Sequence, residues 1–286
     1  SCAVSIHDCD FQTRGCMSVF VIGEMASAHD GDLGKAKQLV DVAVAAGCDA
    51  VKVQFWSDAD RLADRRGVPQ HYRDIYRKYQ MPVKWLRILK DYCGERIEFM
   101  ATCFLPEDTE IISPFVKRFK VSAFESRDSE LMDAICWVAE NRIIIMSVNE
   151  VRGNPALDHI LDSDELCERS RNGIRDVLMY CVTAYPAPLS RIDLSQLKDS
   201  HPVGFSDHTG DLDMGAYAVC AGATYIEAHM KLCETDGLNP DGGSFAHLPA
   251  ALKQYVSNIR KAEVVMSPAS RRSTSELELK RYQVIA

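Results

Sequence analysis

From residue 18 onward, short apolar runs alternate with segments whose apolar residues recur every three or four positions. The short runs are SVFVIGE (18–24), DAVKVQFW (49–56), IEFMAT (97–102), RFKVSA (118–123), RIIIMSV (142–148), IRDVLMYCV (174–182), PVGFS (202–206) and TYIEAHM (224–230). Such runs predict strands buried on both faces. Between them the spacing predicts helices over 33–47, 82–93, 129–140, 214–223 and 248–265, with shorter ones near 107–115, 163–172 and 193–198. The first places Leu33, Ala36, Val40, Ala43 and Val44 at helical intervals, with Gly47 positioned as a left-handed C-terminal cap. In the last, Leu252, Val256 and Ile259 share one face. The polar segment 57–80 reads as a long loop. Its arginines 61, 65, 66, 73 and 77 read as a solvated face rather than as cations offered to an acidic ligand.

Eight strands, each followed by helix, indicate an all-parallel sheet and fit a (β/α)8 TIM barrel better than an open dinucleotide-binding sheet. The turn after the first strand, GEMASAHDG, lacks the GxGxxG fingerprint. The expected organisation is an N-terminal extension over 1–17, a barrel domain over 18–265 and a tail over 266–286.

Composition narrows the function. The 286 residues carry 33 Lys+Arg against 41 Asp+Glu, a net charge of −8, which argues against a nucleic-acid binder held by a general basic field. No stretch nears the roughly 20 apolar residues that span a bilayer, so no membrane association is expected. The N-terminal residues lack a basic stretch followed by an apolar run, the mark of a secretory signal. The 11 cysteines are scattered without CxxC pairs and read as reduced, mostly buried thiols, so a cytoplasmic enzyme is expected. Cys103 and Cys181 have no evident neighbouring base, which disfavours a thiol nucleophile.

In a barrel of this type, active-site groups project from the C-terminal ends of the strands. Polar residues recur there: Glu24 and then His29; Lys52 and Gln54; Thr102; Lys120, Ser122 and Glu125; Ser147 and Asn149; Thr183 and Tyr185; Ser206, Asp207 and His208; Glu227 and His229. Two lysines inside apolar strands, Lys52 and Lys120, point to a buried anion such as phosphate or carboxylate. Burying an ammonium unpaired is costly, so a carboxylate partner is expected, Glu24 or Glu125. His208 and His229 end adjacent strands, where two imidazoles could share one divalent metal.

Taken together, these segments resemble the sialic acid synthase family, the N-acetylneuraminate synthases and their relatives. IGEMASAHDG resembles EIGxNHxG through Glu24, His29 and Gly31, and DAVKVQ resembles ADxVKxQ around Lys52. CVTAYPAPLSRIDL resembles HCxSxYPxP…NL through Cys181, Tyr185, Pro186 and Pro188. VGFSDHTGD is close to GYSDHT, and ATYIEAHMKL resembles AxxIEKHxTL. Weaker matches are ATCF at Thr102, KVSAFE at Lys120 and Glu125, and NPDGGSF at Asp241 and Ser244.

The resemblance implies metal-dependent condensation of phosphoenolpyruvate (PEP) with an aldehyde sugar, an N-acetylmannosamine-like acceptor or an altered one. The products are a 2-keto-3-deoxy sugar acid and phosphate. By that resemblance His208 and His229 hold the metal, Mn2+ first and Mg2+, Co2+ or Zn2+ as alternatives. Lys52 and Lys120 hold PEP, with Thr102, Ser147, Thr183 and Ser206 as hydrogen-bond donors. Glu24 handles a proton or the sugar, Tyr185 and Asp241 face the sugar, and Gln54, Ser122, Glu125, Asp207 and Ser244 complete the substrate-binding set.

The family usually adds a C-terminal antifreeze-like domain, and the resemblance here covers the barrel domain alone. Its members usually dimerise, and homo-oligomerisation is compatible with the resemblance. Departures from the family pattern gather at the rim: Ala28, Ala123, Phe124, Tyr180, Gly242 and SVNE at 147–150. They suggest retained PEP–metal chemistry with a changed acceptor. The alternatives are a metal-dependent aldolase or isomerase acting on a sugar phosphate, and a non-catalytic barrel relative.

Overall fold

The structure, a computed structural model, describes residues 18–149, 169, 173, 174, 176–197, 203–234 and 240–267. The N-terminal extension, all but residue 169 of the helix expected near 163–172 and nearly all of the tail therefore lie outside the described residues. Eight parallel strands form a closed barrel in chain order. They are β1 (Phe20–Glu24), β2 (Ala50–Phe55), β3 (Glu98–Cys103), β4 (Arg118–Val121), β5 (Ile143–Val148), β6 (Val177–Cys181), β7 (Val203–Asp207) and β8 (Tyr225–His229). The ring closes where β1 pairs with β8, from Phe20↔Tyr225 to Glu24↔His229.

The described helices are α1 (Leu33–Ala46), α2 (Ala59–Arg66), α3 (Gln70–Tyr79), α4 (Lys84–Cys93), α5 (Asp108–Ile112), α6 (Ser129–Ala139), α7 (Met214–Ala221) and α8 (Pro249–Met266). Local chemistry sets their ends. Asp32 caps α1 by accepting from the Gly34 and Lys35 amides, and Gly47 closes it at φ 85°. The expected loop over 57–80 is corrected to two helices, α2 and α3. Asp58 accepts from the Asp60 and Arg61 amides, and Gly67 ends α2 at φ 62°. The charged composition masked a helix because those charges pair with one another instead of facing water alone. The helix expected near 193–198 is a 3-10 turn, Leu194–Leu197.

Side-chain alternation divides the barrel interior into layers. At the N-terminal end Arg118 donates to Glu98 at 3.0 Å and to the Tyr225 hydroxyl at 3.2 Å, over the Phe20 ring. The middle is apolar, built by Ile22, Ala50, Met100, Ile145, Val177 and Met179. The upper layer, two residues further along each strand, is polar and buried: Glu24, Lys52, Thr102, Lys120, Ser147, Ser206 and Glu227. Residues of opposite parity, such as Val51, Val53, Phe99, Phe119 and Phe205, pack outward against the helices. A dry floor therefore lies beneath a charged ceiling.

Candidate active site

The ceiling begins with β1 and β2, whose register sets Glu24 beside Lys52. The two form a short, buried ion pair, and Glu24 Oε1 also accepts from the Ala26 amide at 2.7 Å. Lys52 donates to Thr102 Oγ1 at 2.8 Å, and Lys120 donates to Ser147 Oγ at 2.7 Å. Glu227 joins the two lysines: its Oε2 lies 3.5 Å from Lys52 Nζ and its Oε1 lies 3.6 Å from Lys120 Nζ. Ser206 Oγ donates to Glu227 Oε1 at 3.1 Å. Burial pulls the Lys52 ammonium down to about 8, against the attraction of Glu227. Burial pushes Glu227 the other way, but the two ammonium groups overcome it and hold the carboxyl at about 2.

The expected carboxylate partner is thus confirmed for Glu24 and corrected for Glu125. Glu125 lies off the 3-10 turn after β4 and pairs with Arg66 at 2.5 Å, not with either lysine. The residue whose centrality the sequence did not reveal is Glu227. Its signal was present: Glu227 and His229 are two apart on one strand, so both face inward.

The imidazoles sit beside the lysines. His208 and His229 have ring centroids 5.5 Å apart at 66°. The Val182 carbonyl, which can only accept, stands 2.7 Å from His208 Nδ1. That assigns the proton to Nδ1 and leaves the Nε2 lone pair, 3.3 Å from Ser206 Oγ, unprotonated. Desolvation pulls both rings down to about 3, so each is a neutral nitrogen donor. His229 Nδ1 is buried without a hydrogen-bond partner, 3.9 Å from Asp241 Oδ1. Among the described residues no group of three or more His, Cys, Asp or Glu side chains is arranged to hold a metal. Two neutral imidazoles, one with an orphaned buried nitrogen, fit a divalent ion whose other positions are filled by water or substrate oxygens.

Aromatic groups roof this pair. Tyr185 stacks on His208 at 4.2 Å and 32°, and Phe245 meets His229 edge-on at 5.1 Å. Asp241 reaches the loop after β1, accepting from the Ser27 amide at 3.1 Å and hydroxyl at 2.5 Å. Lys231, which the sequence reading passed over, secures that rim. It is buried and donates at 3.1 Å to the carbonyls of both Gly242 and Gly243. Gln54, one step above Lys52 on the inward face, is half-buried, and Thr183, after β6, is exposed.

Two further expectations are corrected. Asp207 follows the inward Ser206 and so points outward, where it accepts from the Tyr255 hydroxyl at 2.9 Å and from Thr209. It braces β7 against α8 rather than facing substrate. Ser244 is exposed, and its backbone rather than its hydroxyl is engaged, packed against Gly210. Burial pushes the thiol of Cys103 well up and that of Cys181 to about 12, as expected of packing groups. His29 is also structural: it accepts from the Gly31 amide at 3.0 Å and abuts Trp85.

Comparison with known proteins places this geometry. The NeuB family model matches residues 39–271. The spore coat polysaccharide biosynthesis protein SpsE of Bacillus subtilis is 30% identical, over 90% of this chain and 71% of its own. The N,N'-diacetyllegionaminic acid synthase of Legionella pneumophila is 28% identical, over 92% and 78%. The solved N-acetylneuraminic acid (sialic acid) synthetase of Leptospira borgpetersenii shares the fold, at TM-score 0.80 over 94% of this chain and 92% of that one, with 22% identity.

Proposed function

This chain belongs to the NeuB family, and on that premise we propose that it condenses PEP with an aldehyde sugar to a 2-keto-3-deoxy sugar acid and phosphate. The observation that carries the reading is the convergence of Lys52 and Lys120 with the neutral pair His208 and His229 at one end of one barrel. Two relatives are named as synthases, one of N,N'-diacetyllegionaminic acid and one of pseudaminic acid, and the chemistry of this site suits the same class of reaction.

Lys52 and Lys120 bind the PEP phosphate and carboxylate, aided by the hydroxyls of Thr102 and Ser147 that they already hold. Charge counting bears on this step. Lys52 and Lys120 are balanced by Glu24 and Glu227, so the dry pocket is neutral before the anion enters. A divalent ion, Mn2+ by our reading, would be held by His208 and His229, where it would supply positive charge and a Lewis acid for the aldehyde oxygen. Tyr185 offers a face for the sugar beside those imidazoles, and Asp241 offers a carboxylate.

PEP C3 attacks the aldehyde carbon, water adds at C2, and the tetrahedral carbon collapses with C–O cleavage to release phosphate. Glu24, ionised against Lys52, is the carboxylate we assign to take and return a proton during water addition. Of the departures from the family pattern, Ala28 and Tyr180 are buried in the core outside the barrel, so the reading of an altered acceptor leans on Ala123, Phe124 and Gly242.

The test is phosphate release from PEP, followed with and without Mn2+ across a panel of aldoses, on protein stripped by chelation. Release that requires both an aldose and the ion supports the reading. No release with any aldose sinks it, and PEP-independent carbon–carbon cleavage or isomerisation of a sugar phosphate, read by chromatography of the sugar products, favours the aldolase or isomerase alternative.

A further inference from the structure

Lys231 lies two residues past His229, just beyond the end of β8, and is only 5% exposed. Its ammonium donates to the Gly242 and Gly243 carbonyls, each at 3.1 Å, and to Glu234 at 3.2 Å. The Glu234 side chain is 77% exposed, so water screens that pair and the two carbonyls are the dry partners. Burying a cation against neutral carbonyls is costly. The family string AxxIEKHxTL has threonine where this chain has Lys231, and Gly242 is itself a departure from the family pattern. Two departures therefore meet in one contact.

The segment that Lys231 holds is made of turns and bends, from Asp241 to Ala246, and has no helix or strand to stiffen it. The Gly243 carbonyl also accepts from the Ala246 amide at 3.1 Å. A Cβ on Gly243 would stand 2.7 Å from Phe245 Cε1, so the phenyl ring lies directly against the residue that the ammonium grips. Phe245 meets the His229 ring edge-on at 5.1 Å and the Tyr185 ring at 5.1 Å. On the other side of the two glycines, Asp241 Oδ1 lies 3.9 Å from His229 Nδ1, while its Oδ2 is tied to Ser27. Both contacts of this segment with the imidazole thus flank the two residues that Lys231 fixes. A histidine that serves a metal is oriented by the groups its ring and its second nitrogen meet. The hydrogen bonds of Lys52 and Lys120 run instead to Thr102, Ser147 and the Val121 carbonyl.

We propose that Lys231 is a positioning residue for the metal and acceptor side of the site: by tying the Gly242 and Gly243 carbonyls to the end of β8, it holds Asp241 and Phe245 against His229. The acceptor half of this rests on the PEP–aldehyde reading above. The ion half rests on the surroundings of His229.

The test is Mn2+ binding, measured directly by calorimetry on the full chain after chelation, with neither PEP nor sugar present. Lys231→Met, close in volume but without a donor, should weaken Mn2+ binding by roughly tenfold or more. Lys231→Arg, which keeps charge and donors, should recover part of the loss, and Glu234→Ala should bind within about twofold of wild type. In the phosphate-release assay Lys231→Met should raise the acceptor KM by roughly tenfold while the PEP KM stays within about twofold. If the methionine variant does not fold, Lys231→Gln, which keeps one donor for the carbonyls, takes its place and should shift both quantities in the same direction. A folded variant at 231 that melts lower yet binds Mn2+ and acceptor like wild type overturns the proposal, leaving Lys231 a brace of the fold alone. A loss in Glu234→Ala equal to that in Lys231→Met overturns it too, because the exposed carboxylate and not the rim would then be the partner that matters. A wild type that binds Mn2+ but releases no phosphate with any aldose overturns the PEP–aldehyde reading, and the binding comparison alone then decides the role of Lys231. A wild type that binds no Mn2+ overturns both.

Discussion

Lys120 on β4 and Glu227 on β8 stand opposite each other in the eight-stranded ring, and their charged groups meet across its interior at 3.6 Å. Opposite strands share no backbone hydrogen bonds, so this contact exists only because the barrel closes at this diameter. It is also dry: Lys120 is 2% and Glu227 4% exposed.

That burial makes the pair sensitive to one-sided change. Glu227→Gln should cost about 3 kcal/mol, because Lys120 loses its carboxylate and Lys52 is left with Glu24 alone. Lys120→Met/Glu227→Gln should cost less than the sum of its singles by more than about 1 kcal/mol. Urea unfolding of the four proteins closes the cycle, and additive losses would show that the two groups do not interact.

Acid should act through two buried histidines other than His208 and His229. Desolvation pulls His29 and His247 down to about 4 from 6.5. Below 6.5 the unfolded chain takes up protons that the folded state refuses, so their contribution to stability falls as pH drops from 6.5 toward 4. Asp108, which burial pushes up to about 6, acts in the opposite sense. Comparison with variants isolates the effect. His247→Gln should flatten the stability profile between pH 6.5 and 4 by up to about 1.4 kcal/mol per pH unit. An unaltered slope, measured by thermal melting across that range, would refute the assignment.

The alkaline side reports on Lys52. Its ammonium titrates at about 8 in the folded protein, against 10.5 when freely solvated. The folded state therefore gives up this proton first, and the anion site loses one positive charge as pH rises through 8. PEP affinity, read by calorimetry on the same preparation from pH 7 to 9.5, should weaken progressively above about 8. In Lys52→Met, affinity should be low throughout and lack that inflection.

Gly210 links the rim to the imidazoles. Its φ is +75°, and a Cβ there would stand 2.4 Å from the Ser244 carbonyl oxygen and 3.0 Å from Phe245 Cα. Phe245 packs on His229 and on Tyr185, each at 5.1 Å. Gly210→Ala should therefore destabilise the fold by about 1–3 kcal/mol and displace Phe245. The Mn2+-induced rise in melting temperature should shrink along with it. A variant that melts and responds to the ion like wild type would show that the rim yields without consequence.

Much of the architecture was legible in the order of residues. Eight apolar runs alternating with helical spacing indicate a parallel sheet covered on both faces, and their number favours a closed barrel over an open sheet. The two-residue period alone sets Lys52 with Gln54, and Glu227 with His229, on common inward faces. The same period would have turned Asp207 outward, opposite Ser206, had it been applied through the end of β7.

Partnership was not legible. Glu227 lies 175 residues from Lys52 and 107 from Lys120 in the chain (227 − 52 and 227 − 120), and no local spacing relates them. Arg66, in a run of charges that reads as solvated, is half-buried and paired with Glu125 because α2 lies over the end of β4. Residue type and facing are local properties, decided by backbone period and side-chain chemistry. Which charge neutralises which, and which ring covers a cation, depend on distances that exist only after the barrel closes and water leaves it.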